Sequence, residues 1–62
     1  MKKAQGNDLV EVSGEVRSET EKAYRFYDGK EYVWLPKSLC EWDKGAKEMT
    51  MPEWLAQDKG LI

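Results

Sequence analysis

Apolar and polar positions alternate along most of this chain. Val10, Val12 and Val16 take turns with Glu11, Ser13, Glu15, Arg17 and Glu19, the two-residue period of a half-buried strand. Gly14 falls on the inward side of that run, where a side chain is expected. Glycine inside a strand marks a bend or bulge, so the pattern predicts one strand kinked at Gly14. Two aromatic-rich runs then flank Tyr27-Asp28-Gly29-Lys30. Asp-Gly supplies the positive backbone angles of a two-residue type I′ loop, so a hairpin with Asp28 and Gly29 at its tip follows. In that register Tyr27 faces Lys30, Phe26 faces Glu31, Arg25 faces Tyr32, Tyr24 faces Val33 and Ala23 faces Trp34. One face of the hairpin carries Tyr24, Phe26, Val33 and Leu35, an apolar set suited to a core. The other carries Ala23, Arg25, Tyr27, Lys30, Tyr32 and Trp34.

Pro36 cannot donate to a ladder and ends the strand, with Lys37 and Ser38 turning the chain. A further strand is expected from Leu39, with Cys40 and Trp42 alternating with Glu41 and Asp43. Lys44-Gly45 supplies a turn, and Met49 and Met51 then alternate with Glu48 and Thr50. Thr50-Met51-Pro52-Glu53 matches a capping box, with Thr50 as N-cap and Glu53 as its reciprocal partner. The short helix it predicts buries Trp54 and Leu55 and ends at Gly60, after which Leu61 and Ile62 fold back onto apolar surface. The expected fold is therefore mainly β: a small curled antiparallel sheet, or a partly open barrel of the SH3 or OB kind, with four or five strands and a short C-terminal helix. Residues 1–8, polar and without periodicity, read as a flexible terminus ahead of a single domain over 9–62.

Sixty-two residues leave room for one thin core, since a chain of this size buries roughly 60% of the surface it exposes when unfolded. The composition, 40% hydrophobic and 35% charged with three Trp, three Tyr and one Phe, is that of a globular chain. One cysteine cannot form an internal disulfide, and Met1 to Asn7 carry no apolar leader-like segment, so the expected setting is the cytoplasm. No stretch approaches the ~20 apolar residues of a membrane span. The net charge of −2 disfavours general affinity for nucleic acid. It is unevenly spread: from Lys22 to Ser38, four basic residues against Asp28 and Glu31 give +2, and the remainder carries −4.

Candidate chemistry is sparse. With no histidine and one cysteine, imidazole-based triads and zinc sites of the Cys/His kind are excluded. Glu41 with Asp43, and Glu19 with Glu21, project from one side of a strand without the dense ligand run of a calcium loop. They read as solvated faces. Cys40 has no local basic activator and reads as a small buried hydrophobe. No phosphate loop is present. The chain is therefore read as non-enzymatic, with no cofactor or metal. Arg25, Tyr27, Lys30, Tyr32 and Trp34 remain as candidate partner-binding residues, because cations beside aromatic rings equip both protein hot spots and single-strand stacking platforms. Ahead of those uses stands the plainer reading, in which the helix or a curled neighbour strand covers Tyr32 and Trp34 while Arg25 stacks on Tyr32, because a chain this short has few aromatics to spare from its core.

Glu19-Thr20-Glu21-Lys22-Ala23, then Val33-Trp34-Leu35-Pro36-Lys37-Ser38, then Pro52-Glu53-Trp54-Leu55-Ala56 with Lys59-Gly60-Leu61 form a spaced pattern. In it the chain resembles a group of small phage and prophage proteins over residues 9 to 62. The resemblance implies a stand-alone module in the host-cell cytoplasm. Such a module binds a larger host or phage protein complex stoichiometrically, for example as an anti-CRISPR-like inhibitor of host defence. Two other expectations stand beside it: a single-stranded nucleic-acid-binding barrel using the same face, and a homodimer built on an exposed edge strand.

Overall fold

The computed structural model describes residues 8–62, and residues 1–7 lie outside the described part. The flexible-terminus expectation falls largely there. Asp8, its last residue, is tied down: its carbonyl accepts the Glu53 N–H at 2.8 Å. The chain is mainly β, with β1 (Leu9–Ser13), β2 (Glu15–Glu19), β3 (Ala23–Tyr27), β4 (Tyr32–Pro36), β5 (Glu41–Asp43), β6 (Glu48–Pro52) and α1 (Glu53–Asp58). These form two three-stranded antiparallel sheets, ordered β1-β6-β5 and β2-β3-β4. Six strands replace the four or five expected, and they do not close into a barrel.

The extra strand arises at Gly14. The kinked strand is split there, β1 joining one sheet and β2 the other. Gly14 is required for space: a Cβ on it would lie 2.5 Å from both the Phe26 ring and the Tyr27 carbonyl oxygen. Its N–H donates to the Lys47 carbonyl at 3.1 Å, so the crossing point is itself hydrogen-bonded.

Phe26 and Leu35 from one sheet, Met49 and Met51 from the other, Leu55 and Ala56 from α1, and Cys40 form the core. Val10, Val12, Val16, Tyr24, Val33, Trp42 and Leu61 pack around it. No buried polar or charged side chain interrupts it among the described residues. Phe26 meets Trp42 edge-on, with centroids 6.1 Å apart and planes at 73°, the arrangement that the ring quadrupole favours.

The predicted hairpin faces are present, but its register differs. Tyr27 pairs with Tyr32, Phe26 with Val33, Arg25 with Trp34, Tyr24 with Leu35 and Ala23 with Pro36. The turn is centred one residue later, on Gly29-Lys30. The Asp28 carboxylate causes the shift by accepting both the Lys30 and Glu31 N–H groups at 2.8 Å, which makes Asp28 the opening residue of the turn. Moving a turn centre by one residue changes every partner by two, so each side chain keeps its face. Thr20 shapes the preceding turn likewise, its hydroxyl accepting the Ala23 N–H at 3.1 Å.

Leu39 lies in a turn and is exposed, and the next strand starts at Glu41. The following turn places its left-handed residue at Lys47 (φ 56°) and not at Gly45. The capping box does not form, because Thr50 is held in the middle of β6, paired with Glu11 on one side and Glu41 on the other. Pro52 is the N-cap instead, without a side-chain cap bond. Leu55 and Ala56 are buried while Trp54 faces solvent, correcting the expected burial of Trp54. Gly60 does adopt the left-handed cap (φ 74°). Gly60 N–H donates to the Gln57 carbonyl and Leu61 N–H to that of Ala56, a Schellman ending that seats Leu61 against the core.

Candidate aromatic and cationic sheet face

The outer face of β2-β3-β4 is built by the alternation that fills the core. With Tyr24, Phe26, Val33 and Leu35 turned inward, Arg25, Tyr27, Tyr32 and Trp34 must stand on the opposite side. The α1 helix packs on β6 and β1, and Tyr32 (43%) and Trp34 (48%) remain exposed. The expectation that helix or strand covers these two is thus corrected, although the Arg25–Tyr32 stacking that accompanied it is present.

The side chains on this face form a continuous run across the three strands. The Arg17 guanidinium lies 5.1 Å from the Tyr27 ring centroid. The Tyr27 and Tyr32 centroids are 4.8 Å apart with planes at 37°. The Arg25 guanidinium sits 3.9 Å from the Tyr32 centroid. Each exposed cation–π contact contributes about 0.5–1 kcal/mol, so the run orders rings and cations before anything binds. The Tyr27 hydroxyl donates to the Gly29 carbonyl at 3.0 Å, fixing its ring against the hairpin tip. Lys30 is set apart from the other four candidate residues, in the exposed loop at the end of the face.

Arg17 joins this face although the sequence singled out only the hairpin. A bulge between Val16 and Ser18 shifts the β2–β3 register and leaves Arg17 as the unpaired extra residue beside Tyr27. Plain alternation already sets Arg17 on the side of Glu15, which pairs with Tyr27, and opposite inward Val16; the bulge brings Ser18 to that side as well, opposite Arg25, and the alternation around Gly14 gave no sign of it. Arg17 is also ion-paired to Glu15 at 2.9 Å, and Lys47 approaches Glu15 at 3.7 Å. Beside them a cleft of about 410 Å³ is lined by Gly14, Arg17, Tyr27, Asp28 and Lys47 among others. Two N–H donors hold the Asp28 carboxyl below its ordinary range, the Glu31 N–H foremost. Among the described residues, by contrast, Arg25 has no carboxylate partner and no ring or cation stacks on Trp34.

Elsewhere, burial pushes the Cys40 thiol up to about 11, which suits a packed side chain and not a nucleophile. Among the described residues no group of three or more Cys, Asp or Glu side chains is placed to hold a metal, and no helix is long and apolar enough to cross a membrane. No protein-family model, curated protein or solved structure matches the chain.

Proposed function

We propose that this chain is a non-catalytic binding module that acts stoichiometrically on a larger host or phage protein complex through the outer face of β2-β3-β4. The observation that carries the reading is Trp34: about half exposed, on β4, without a stacking partner among the described residues, and directly across the sheet from Arg25, which has no carboxylate partner among them. Trp and Arg are the side chains over-represented among interface residues that dominate binding energy. Placing them on a sheet whose neighbouring rings are already stacked lowers the ordering cost of association. A partner presenting an apolar pocket for Trp34 and a carboxylate for Arg25 fits this face. In the phage setting implied by the sequence resemblance, that partner belongs to host machinery in the cytoplasm, and inhibition of a defence complex in the anti-CRISPR manner is the specific form proposed.

A single-strand stacking platform would use the same face. On this face the Tyr27 and Tyr32 rings are already in contact with each other and with cations, and Trp34 is the ring there without a stacking neighbour among the described residues, which favours the protein-binding reading. Tagged protein and its Trp34→Ala/Arg25→Ala variant, both confirmed folded by thermal melting, are used for capture from host lysate with and without nuclease. The expected result is a nuclease-resistant protein complex retained by the wild type and lost by the variant. Capture that persists in the variant overturns the assignment of the face, and capture that vanishes with nuclease transfers it to nucleic acid.

A further inference from the structure

The sheet edges are not guarded alike. β5 is three residues long with Glu41 and Asp43, β2 is bulged and carries Glu15, Arg17 and Glu19, and β1 has Glu11 at its centre. Shortness, bulges and charges all discourage an edge from pairing with another chain. β4, Tyr32-Val33-Trp34-Leu35-Pro36, has no charge along its length.

Two bonds flanking β4 fix the phase of its ladder: Asp28 N–H donates to the Glu31 carbonyl at 3.1 Å, and Lys37 N–H to the Lys22 carbonyl at 2.8 Å. Bonded and non-bonded pairs alternate in an antiparallel ladder. Val33 and Leu35 therefore turn their backbone groups toward β3, and Tyr32, Trp34 and Pro36 turn theirs toward the edge that no strand among the described residues pairs. Pro36 has no N–H, and its carbonyl already accepts from Leu39 at 3.1 Å. What the edge offers is the N–H and C=O of Tyr32 and of Trp34.

We infer that this edge pairs with the same edge of a second copy of the chain, antiparallel and centred on Val33, so that Tyr32 of each copy faces Trp34 of the other. In that register the two residues satisfy one another's N–H and C=O groups. Centring the two-fold on Trp34 would instead set the Tyr32 carbonyl against Pro36, which has no donor. The two aromatic side chains, both standing on the exposed face, form a cross-strand pair on each side of the axis. The sheet becomes six-stranded, β2-β3-β4-β4-β3-β2. The net charge of −2 on each copy opposes this only weakly. Contact through one short strand involves far fewer than the ~20–30 residues a side of a standard interface, so the dimer is a weak one that forms at high protein concentration. It concerns purified protein alone, so its failure would leave the proposed partner binding unaffected.

Sedimentation equilibrium over a concentration series tests it. The mass-average molar mass is expected to rise toward twofold for the wild type and to stay monomeric for Trp34→Lys, which places a charge on the edge at an exposed position. The register is read by oxidative cross-linking in a Cys40→Ser background. Val33→Cys should yield a disulfide dimer, because its Cα lies ~4.5 Å from its copy in a non-bonded pair, and Trp34→Cys should not. If Val33→Cys does not fold, mixing Tyr32→Cys with Trp34→Cys chains should give the mixed disulfide. A monomeric wild type at every concentration, an unaffected Trp34→Lys, or preferential cross-linking of Trp34→Cys to itself overturns the proposal.

Discussion

Replacing Gly14 with alanine adds a single methyl group at the point where the chain passes from one sheet to the other. That methyl would sit 2.5 Å from the Phe26 Cζ atom, 2.9 Å from Phe26 Cε1 and 2.5 Å from the Tyr27 carbonyl oxygen, where carbon atoms normally approach to about 3.5–4.0 Å. Neither neighbour yields easily. Phe26 is fully buried and meets Trp42 edge-on, and the oxygen belongs to the backbone of β3, the middle strand of its sheet. Gly14 is not in the left-handed region, so alanine meets no conformational penalty there, and it stabilises by about 0.4–1 kcal/mol through the unfolded chain. Overpacking a core costs about 1–3 kcal/mol, and a clash on two fronts belongs at the upper end. The expected net loss is about 2 kcal/mol, or roughly 8–16 °C in Tm for a domain of this size. Thermal melting by circular dichroism and urea titration read it directly, the urea midpoint falling with an unchanged slope. In a Phe26→Leu background, which removes the ring atoms but leaves the carbonyl, the penalty should shrink without vanishing, giving a measurable coupling energy. A Gly14→Ala protein that melts at or above the wild-type temperature would refute the steric account of this crossing.

Two further outcomes follow from the turn chemistry and the core. Lys47 holds a left-handed backbone (φ 56°) that costs a side-chain-bearing residue about 1–2 kcal/mol; Lys47→Gly should therefore raise Tm by a few degrees despite the added freedom of the unfolded chain, and a fall in Tm would contradict it. The Cys40 thiol is pushed up from 9.0 to about 11 in the folded chain. Between those values the unfolded state has released a proton that the folded state retains, so this contribution is complete below pH 9.0 and is lost as pH rises toward about 11. Urea midpoints across that range should fall more steeply for the wild type than for Cys40→Ala, and parallel curves would remove the thiol from the account.

Much of this architecture is legible in alternation alone. The inward set Tyr24, Phe26, Val33 and Leu35 survives the shifted register because a two-residue slip preserves faces. The register itself is not legible, because Asp28 can open a turn or stand inside one, and only its bonds to Lys30 and Glu31 decide. Thr50-Met51-Pro52-Glu53 has the spacing of a cap, but strand pairing on both sides claims Thr50 first. The pairing with Glu41 is that of a local hairpin, but the pairing with Glu11 joins segments some forty residues apart in sequence, which local pattern does not reach. The membership of the outer face was readable for Arg25, Tyr27, Tyr32 and Trp34. Arg17 was readable as a polar-side residue of its strand but not as a neighbour of Tyr27, because the pairing of β2 with β3 is not in the pattern, and the exposure of Trp34 required knowing where the helix packs.

The pairing of β1 with β6 also sets an order of assembly. Strands β2, β3 and β4 meet their partners across short turns, so that sheet can begin to form once residues through Pro36 are available. β1 must wait for β6, and the Asp8 carbonyl for the Glu53 N–H. Closing a loop of that length is entropically expensive and slow compared with hairpin formation. Until it closes, the Phe26 and Leu35 side chains have no Met49 or Met51 to pack against. A chain cut short before β6 would therefore retain a hairpin sheet with its apolar face uncovered, which makes the last quarter of the sequence the step that commits the molecule to its folded state.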